Sequence, residues 1–406
     1  MKNILFYYPS KSIGGAELLI IRLAKWIANH NSYNVYICDY PDGFLTASLA
    51  DCSKVNVVFF NREAIDVPSG TNVVVYGSSL FYINKLFKYD ETCRFFVWSV
   101  RPDNITSQFY WGNKSFVSLS KRMRIGALLK QMYERKSLFF MDYPNYITPS
   151  SFFKFNIPNV QYMQILVTED GCSSGFQSHI HDNKVLKFVW MSRLDKDKMN
   201  ELKTILTDLN TIKVTGGVQL SIIGKGNAED DLKSFIKNKC KFECVFVGVK
   251  KGDDLVRFVN ENADICLAQG TSALEFGKMG KPVILVDGYD HAYPEHRIKY
   301  NLLYQMEGYS VGELYHEGIK RNYYFDEAVN FIINNYNETA QKCWAHVKNN
   351  FTINIVGKKF VNYLEDISEQ NNRESHRIIN QLRKEYDNSF MRYYRFVMTK
   401  LGFWHK

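Results

Sequence analysis

At 406 residues the chain is long enough for two domains, each burying its own core, and a hydrophobic content of 46% with 15% aromatic residues describes a globular protein. No apolar run nears the length of a bilayer span and the N-terminal ILFYY is too short for a signal-peptide core, so the expectation is a cytoplasmic protein. Eight cysteines without a C-x-x-C pair argue against a disulfide frame or a zinc site, and the formal charge of +9 sits in two basic stretches, 114–136 and 373–406, which suit a negatively charged partner surface.

In chain order, Lys2 to Tyr8 reads as a buried first strand. Ser10-Lys-Ser-Ile-Gly14-Gly15-Ala-Glu17 then reads as a glycine turn into a helix with apolar residues at helical spacing. Two adjacent glycines let a backbone approach a ligand closely, and they also serve an ordinary strand-to-helix turn. The spacing is not the G-x-G-x-x-G of a dinucleotide fold. Further strand-like runs at Asn34–Cys38, Val55–Phe60, Asn72–Tyr76 and Arg94–Trp98 alternate with helices or loops, which predicts a parallel α/β sheet. The last run leads into Ser99, Arg101 and Asp103 at the edge where ligands gather. There Arg101 can pair with a phosphate or sugar hydroxyl and Asp103 can act as a base, or both can be loop surface.

The basic stretch 114–136 sets Lys121, Arg122, Arg124 and Lys130 among Met123, Ala127, Leu128, Leu129 and Met132. This reads as a basic amphipathic helix for an anionic membrane surface, or as a solvated helix face. Tyr146–Lys154 reads as the last strand and helix of a first domain, Thr168–Lys184 as a polar linker, and Val185–Met191 as the first strand of a second domain. That strand runs into Arg193 and Lys198, two cations five residues apart that can converge on one pyrophosphate. Asp195-Lys-Asp197 spells a D-x-D, a short pattern common by chance and set aside here as a metal site. Leu220–Gly226 and Val245–Gly248 are further strand-and-glycine turns, carrying Gly224 and Gly248.

The stretch Ala263–Asp287 reads as strand, tight turn at Gly270, helix and strand. It places the helix N-terminus, with Thr271 and Ser272, at the carboxyl edge of a parallel sheet as a seat for phosphate. Glu275, one turn on, can accept bonds from ribose hydroxyls, while Ser272-x-x-Glu275 also spells a capping box. The segment 288–296 holds Tyr289, His291, Glu295 and His296, groups suited to sugar bonding, with no third ligand to make the histidines a metal site. Asp326–Asn349 and Asn354–Ile367 read as closing helices, followed by a polar stretch and an aromatic, basic end suited to an interfacial anchor or to a disordered, partner-binding tail.

Three of these segments, Gly14–Glu17, Arg193–Lys198 and Gly270–Val283, together resemble glycosyltransferase family 4 and its relatives, of the bacterial polysaccharide-biosynthesis type. The resemblance covers about residues 1–365. It implies the GT-B fold: two Rossmann-like parallel-sheet domains facing a central cleft, with an acceptor domain at 1–170, a donor domain at 185–350, a closing helix at 351–367 and a tail at 368–406. It implies a nucleotide-sugar donor, which is a substrate and not a cofactor, and a glycan or lipid-linked acceptor, without a metal, a cofactor or nucleic acid. Arg193 and Lys198 would stabilise the leaving diphosphate together with N–H groups at Thr271 and Ser272. Glu275 would hold the ribose, Gly14 and Gly15 would face the diphosphate, and the backbone near Gly248 would read the base. The family's further Glu, eight residues before Glu275, is Leu267 here, and a His that many members carry near residues 98–103 is replaced by Ser99, Arg101 and Asp103. The implied activity is retaining transfer in cell-surface polysaccharide or lipopolysaccharide synthesis, by a cytoplasmic protein peripheral to the inner face of the membrane. Two alternatives stay open, a non-hydrolysing nucleotide-sugar 2-epimerase and a degenerate nucleotide-sugar-binding subunit.

Overall fold

The computed structural model describes residues 2–30, 33–111, 114–115, 117–170, 185–289, 297–316 and 318–387. The greater part of the expected linker at 168–184, His291 and His296, and the aromatic end beyond 387 lie outside the described residues. The chain forms two compact units, Met1–Ile165 with Val356–Lys406, and Leu166–Ile355.

The first unit is a six-stranded sheet of β1 (Lys2–Tyr7), β2 (Tyr33–Asp39), β3 (Val55–Phe59), β4 (Asn72–Tyr76), β5 (Arg94–Ser99) and β6 (Leu138–Phe140). Every pairing is parallel, in the order β3-β2-β1-β4-β5-β6. Ile4 and Phe6 of β1 are fully buried, as the uninterrupted apolar run demands of a central strand covered on both faces. Helix α1 (Gly15–His30) follows β1, α2 is Leu119–Glu134 and α3 is Tyr143–Phe153. On α2 the buried face is Ile125, Gly126, Leu129 and Met132, a spacing of one helical stripe. Met123 and Ala127, expected on an apolar face, are exposed.

The second unit repeats the plan with β7 (Leu186–Met191), α4 (Met199–Leu209), β8 (Val218–Ile223), α5 (Glu229–Lys239), β9 (Glu243–Gly248), α6 (Gly252–Asn262), β10 (Ile265–Ala268), α7 (Thr271–Lys278) and β11 (Val283–Leu285). The strand order is β9-β8-β7-β10-β11, extended antiparallel by β12 (Lys299–Leu302) and β13 (Tyr323–Tyr324). The closing helix expected at Asp326–Asn349 is two helices, α8 (Phe325–Asn334) and α9 (Tyr336–Asn350), broken at Asn335.

Helix α10 (Ile353–Glu365) brings the chain back to the first unit, where Gly357 lies so close to Trp26 of α1 that a Cβ would stand 2.6 Å from the indole ring. The expected tail from 368 is corrected over its first half. Glu369–Asp387 is a regular helix, α11, whose Ile378, Ile379, Leu382 and Tyr386 are buried in the core of the first unit beside Phe81 and Phe109. Its charged residues sit on the opposite face, which is why the sequence looks polar throughout.

Candidate functional site

In each sheet the chain runs outward from a central strand on one side and then returns to the other, so a switch point lies between β1 and β4 in the first unit and between β7 and β10 in the second. At a switch point the two adjacent strand-to-helix turns diverge and leave a crevice beyond the carboxyl ends. Gly14 and Gly15 follow β1; Arg193 to Lys198 follow β7, and Gly270 to Glu275 follow β10. The registers Val189↔Cys266 and Trp190↔Leu267 set the last two turns side by side.

The turn after β10 is made by Gly270 at φ 61° and ψ −142°, a backbone state that suits glycine alone, and its Cβ position faces open space. Gly270 is the N-cap of α7, so Ser272 stands inside the helix and the capping-box reading of Ser272 and Glu275 falls away. Helix geometry leaves the first N–H groups of α7 without intrahelical partners. The Thr271 hydroxyl is buried with no hydrogen-bond partner among the described residues. This end of α7 therefore offers donors beside the open face of Gly270.

Glu275 does not stand open. Its Oε2 lies 2.7 Å from Lys278 Nζ, the side chains being 13% and 5% exposed, and Lys278 also donates to the Thr168 carbonyl at 3.3 Å. Gly280 and Lys281 of the Gly-Lys-Pro-Val run are structural. Gly280 sits at φ 74°, and Lys281 is buried with its Nζ on the carbonyls of Ala263 at 2.9 Å and Asn260 at 3.5 Å, where burial pulls its pKa down. It thereby caps the end of α6.

Arg193 is 47% exposed and clamped by its own loop, donating to Asp195 at 2.6 Å and Asp197 at 3.1 Å. The two aspartates of the D-x-D pattern are thus the partners of this guanidinium. Lys198, on the same loop, reaches Glu201 at 3.4 Å. The arrangement of Arg193 and Glu275 differs from the sequence expectation of two groups waiting on a ligand: each has an internal counter-ion to leave or share.

The remaining glycines divide by role. At Gly224, φ is +146° and a Cβ would overlap the carbonyl of Ser192; at Gly226 it would overlap the backbone of Leu194. These two glycines let the turn after β8 pack against the Arg193 loop, which Leu194 N anchors on the Lys225 carbonyl at 3.0 Å. Gly248, at φ 76°, gives its carbonyl to Gly224 N at 2.9 Å.

In the first unit, Glu17 is buried and folds back. It accepts the Ser10 hydroxyl at 2.8 Å, and a Cβ at Gly14 would meet its other oxygen at 2.5 Å. Gly14 is needed for that fold-back, and Gly15 opens α1. Arg101 and Asp103 follow β5, exposed and paired at 3.2 Å with each other. Arg101 is near enough to Tyr8 to oppose the burial, Glu17 and Tyr76, which together push that phenol's pKa up. Glu201 and Gln269, which contact each other at 3.2 Å beside Lys198, are not among the residues expected from sequence; a carboxylate three residues after Lys198 on an amphipathic helix is the available signal for the first.

No protein-family model matches this chain, and no curated protein matches it in sequence. Solved structures do. Anabaena Alr3699/HepE in complex with UDP and glucose is 12% identical with a TM-score of 0.54, over 90% of this chain and 100% of that one. A glycosyltransferase from Rickettsia africae ESF-5 is 13% identical at 0.56, over 90% and 98%. The N-terminal domain of trehalose-6-phosphate phosphatase from Candida albicans is 10% identical at 0.52, over 90% and 97%. At these identities the likeness carries the fold. The chain has the GT-B fold, two Rossmann-like domains built on parallel sheets.

Proposed function

We propose that this chain is a glycosyltransferase that moves a sugar from a nucleotide-sugar donor to a glycan or lipid-linked acceptor, with the donor held by the second unit. One observation carries the reading. The cationic loop Arg193–Lys198 and the glycine-started helix α7 leave adjacent strands, β7 and β10, at the switch point of the sheet. Two similar folds, HepE in complex with UDP and glucose and the Rickettsia glycosyltransferase, support it.

In this reading the diphosphate takes the N–H groups of Thr271 and Ser272 and draws Arg193 from Asp195 and Asp197. Arg193 and Lys198 then offset the charge that builds on the departing nucleotide, which is the task a metal would otherwise perform. Glu275 accepts the ribose hydroxyls while keeping Lys278. Transfer with retention, in cell-surface polysaccharide or lipopolysaccharide synthesis, is the finer form of the proposal. No helix among the described residues is long and apolar enough to cross a membrane. Leu119 and Met123 of α2, 58% and 53% exposed beside Lys121, support contact with a membrane surface.

The internal counter-ions of the two residues, Asp195 and Asp197 for Arg193 and Lys278 for Glu275, favour a second reading, a nucleotide-sugar-binding subunit without turnover. A panel of UDP-, GDP- and ADP-sugars read by thermal shift, followed by assay of sugar release and transfer, separates them. A shift with transfer supports the enzyme, a shift without any turnover supports the binding subunit, and no shift with any donor overturns both.

A further inference from the structure

The groups that hold Lys198 in place form a cluster the sequence reading did not find. Glu201 lies in the first turn of α4, where the helix end favours an acid, yet its side chain is only 1% exposed. A carboxylate this buried is rare unless it is paired. One oxygen, Oε1, accepts from two donors: Lys198 Nζ at 3.4 Å, from the loop after β7, and Gln269 Nε2 at 3.2 Å, from the loop after β10. The other oxygen, Oε2, has no hydrogen-bond partner among the described residues, and neither does the buried hydroxyl of Tyr289. A third loop closes over the group after β11, where a Cβ at Gly288 would stand 3.4 Å from Glu201 Oε1 and 3.6 Å from Gln269 Oε1. Three turns from the carboxyl edge of the second sheet thus converge on one carboxylate.

Stability alone does not account for this arrangement. Burying a carboxylate carries a desolvation cost that a single partner offsets only in part, and apolar residues of similar volume serve stability as well or better. What the carboxylate adds is direction. It holds the ammonium of Lys198, 26% exposed, at the switch point, and it fixes the Gln269 amide with its nitrogen turned inward.

The geometry points to Glu201 as a positioning residue of the anion site, one that acts on a nucleoside diphosphate through Lys198. This rests on the reading of the second unit as a nucleotide-sugar site. Glu201 itself does not touch the ligand. It stands behind Lys198, whose charge lies between the carboxylate and the diphosphate.

The test is a thermodynamic cycle on the full chain, with UDP, GDP and ADP each titrated calorimetrically against wild type, Lys198→Met, Glu201→Gln and the double variant. Melting temperatures are recorded in parallel. The expected result is about a tenfold loss of affinity in Glu201→Gln, a loss at least as large in Lys198→Met, and a double variant no weaker than Lys198→Met alone, because one residue acts through the other. Losses that multiply in the double variant, or wild-type affinity in Glu201→Gln, overturn the inference. Should Glu201→Gln fail to fold, Glu201→Met replaces it in the same cycle. Wild-type protein that binds none of the three nucleotides overturns the transferase reading itself, an outcome distinct from failure of the cycle.

Discussion

Glu275, partly buried, pairs at 2.7 Å with the buried Lys278 one turn further along α7, at the position where a ribose-binding carboxylate was expected. Removing the acid leaves the buried ammonium of Lys278 with the Thr168 carbonyl but without its counter-ion, so Glu275→Ala is expected to lower stability by about 3 kcal/mol in urea unfolding. Adding Lys278→Met should return most of that loss. Equal unfolding midpoints for Glu275→Ala and wild type would show that the pair has no structural weight.

Arg193 is held by two aspartates, and a diphosphate must compete with them. Asp195 also accepts the Asn227 N–H at 3.2 Å, so Asp197 is the cleaner probe. Asp197→Asn should raise UDP affinity by up to about fivefold, the range of an exposed pair, and Arg193→Ala should lower it by about tenfold or more. Calorimetric titration decides. Weaker binding by Asp197→Asn would assign that aspartate to ligand binding instead of competition.

Asp208, which accepts the Tyr300 hydroxyl, has its pKa raised to about 6 by burial. A carboxyl whose pKa is higher folded than unfolded favours the native state while protonated. Its cost is therefore absent below about pH 4, grows between pH 4 and 6, and is complete above pH 6, on the order of 2–3 kcal/mol. Asp208→Asn keeps an acceptor for Tyr300 and removes the cost. The difference in unfolding free energy, variant minus wild type, should be near zero at pH 4 and positive at pH 7.5; a flat difference would contradict the burial argument.

Gly224 and Gly217 both have positive φ, but only Gly224 lacks room for a Cβ. Gly217→Ala should cost about 1 kcal/mol from backbone strain alone. Gly224→Ala should cost more than about 2 kcal/mol and also weaken nucleotide binding, since the added methyl displaces Ser192 beside Arg193. Unfolding curves and UDP titration on both variants test the contrast.

Helix α11 contributes four buried side chains to the first core, so a chain cut at 367 should lose cooperative unfolding of that unit while one cut at 387 keeps it. Vesicle flotation of the longer truncation then tests the membrane role of the segment beyond 387. Association unchanged from the full chain would assign lipid contact to α2 or exclude that segment as the anchor.

The local pattern of the sequence was enough to locate β1, β4, β7, β10 and the glycine turn at 270, because alternation, apolar runs and a residue tolerant of positive φ are properties of a few neighbouring residues. It also contained, unread, the spacings of Glu275 with Lys278 and Lys198 with Glu201, which lie one helical turn apart. What only the tertiary structure decided was partnership across distance. Strand order put the Arg193 and Gly270 turns side by side, packing drew polar-looking α11 into a core built about 280 residues earlier, and three separate turns met at Glu201. Hydrogen-bond ladders and close packing choose such neighbours by shape and satisfaction over the whole domain, and no window of sequence holds that information.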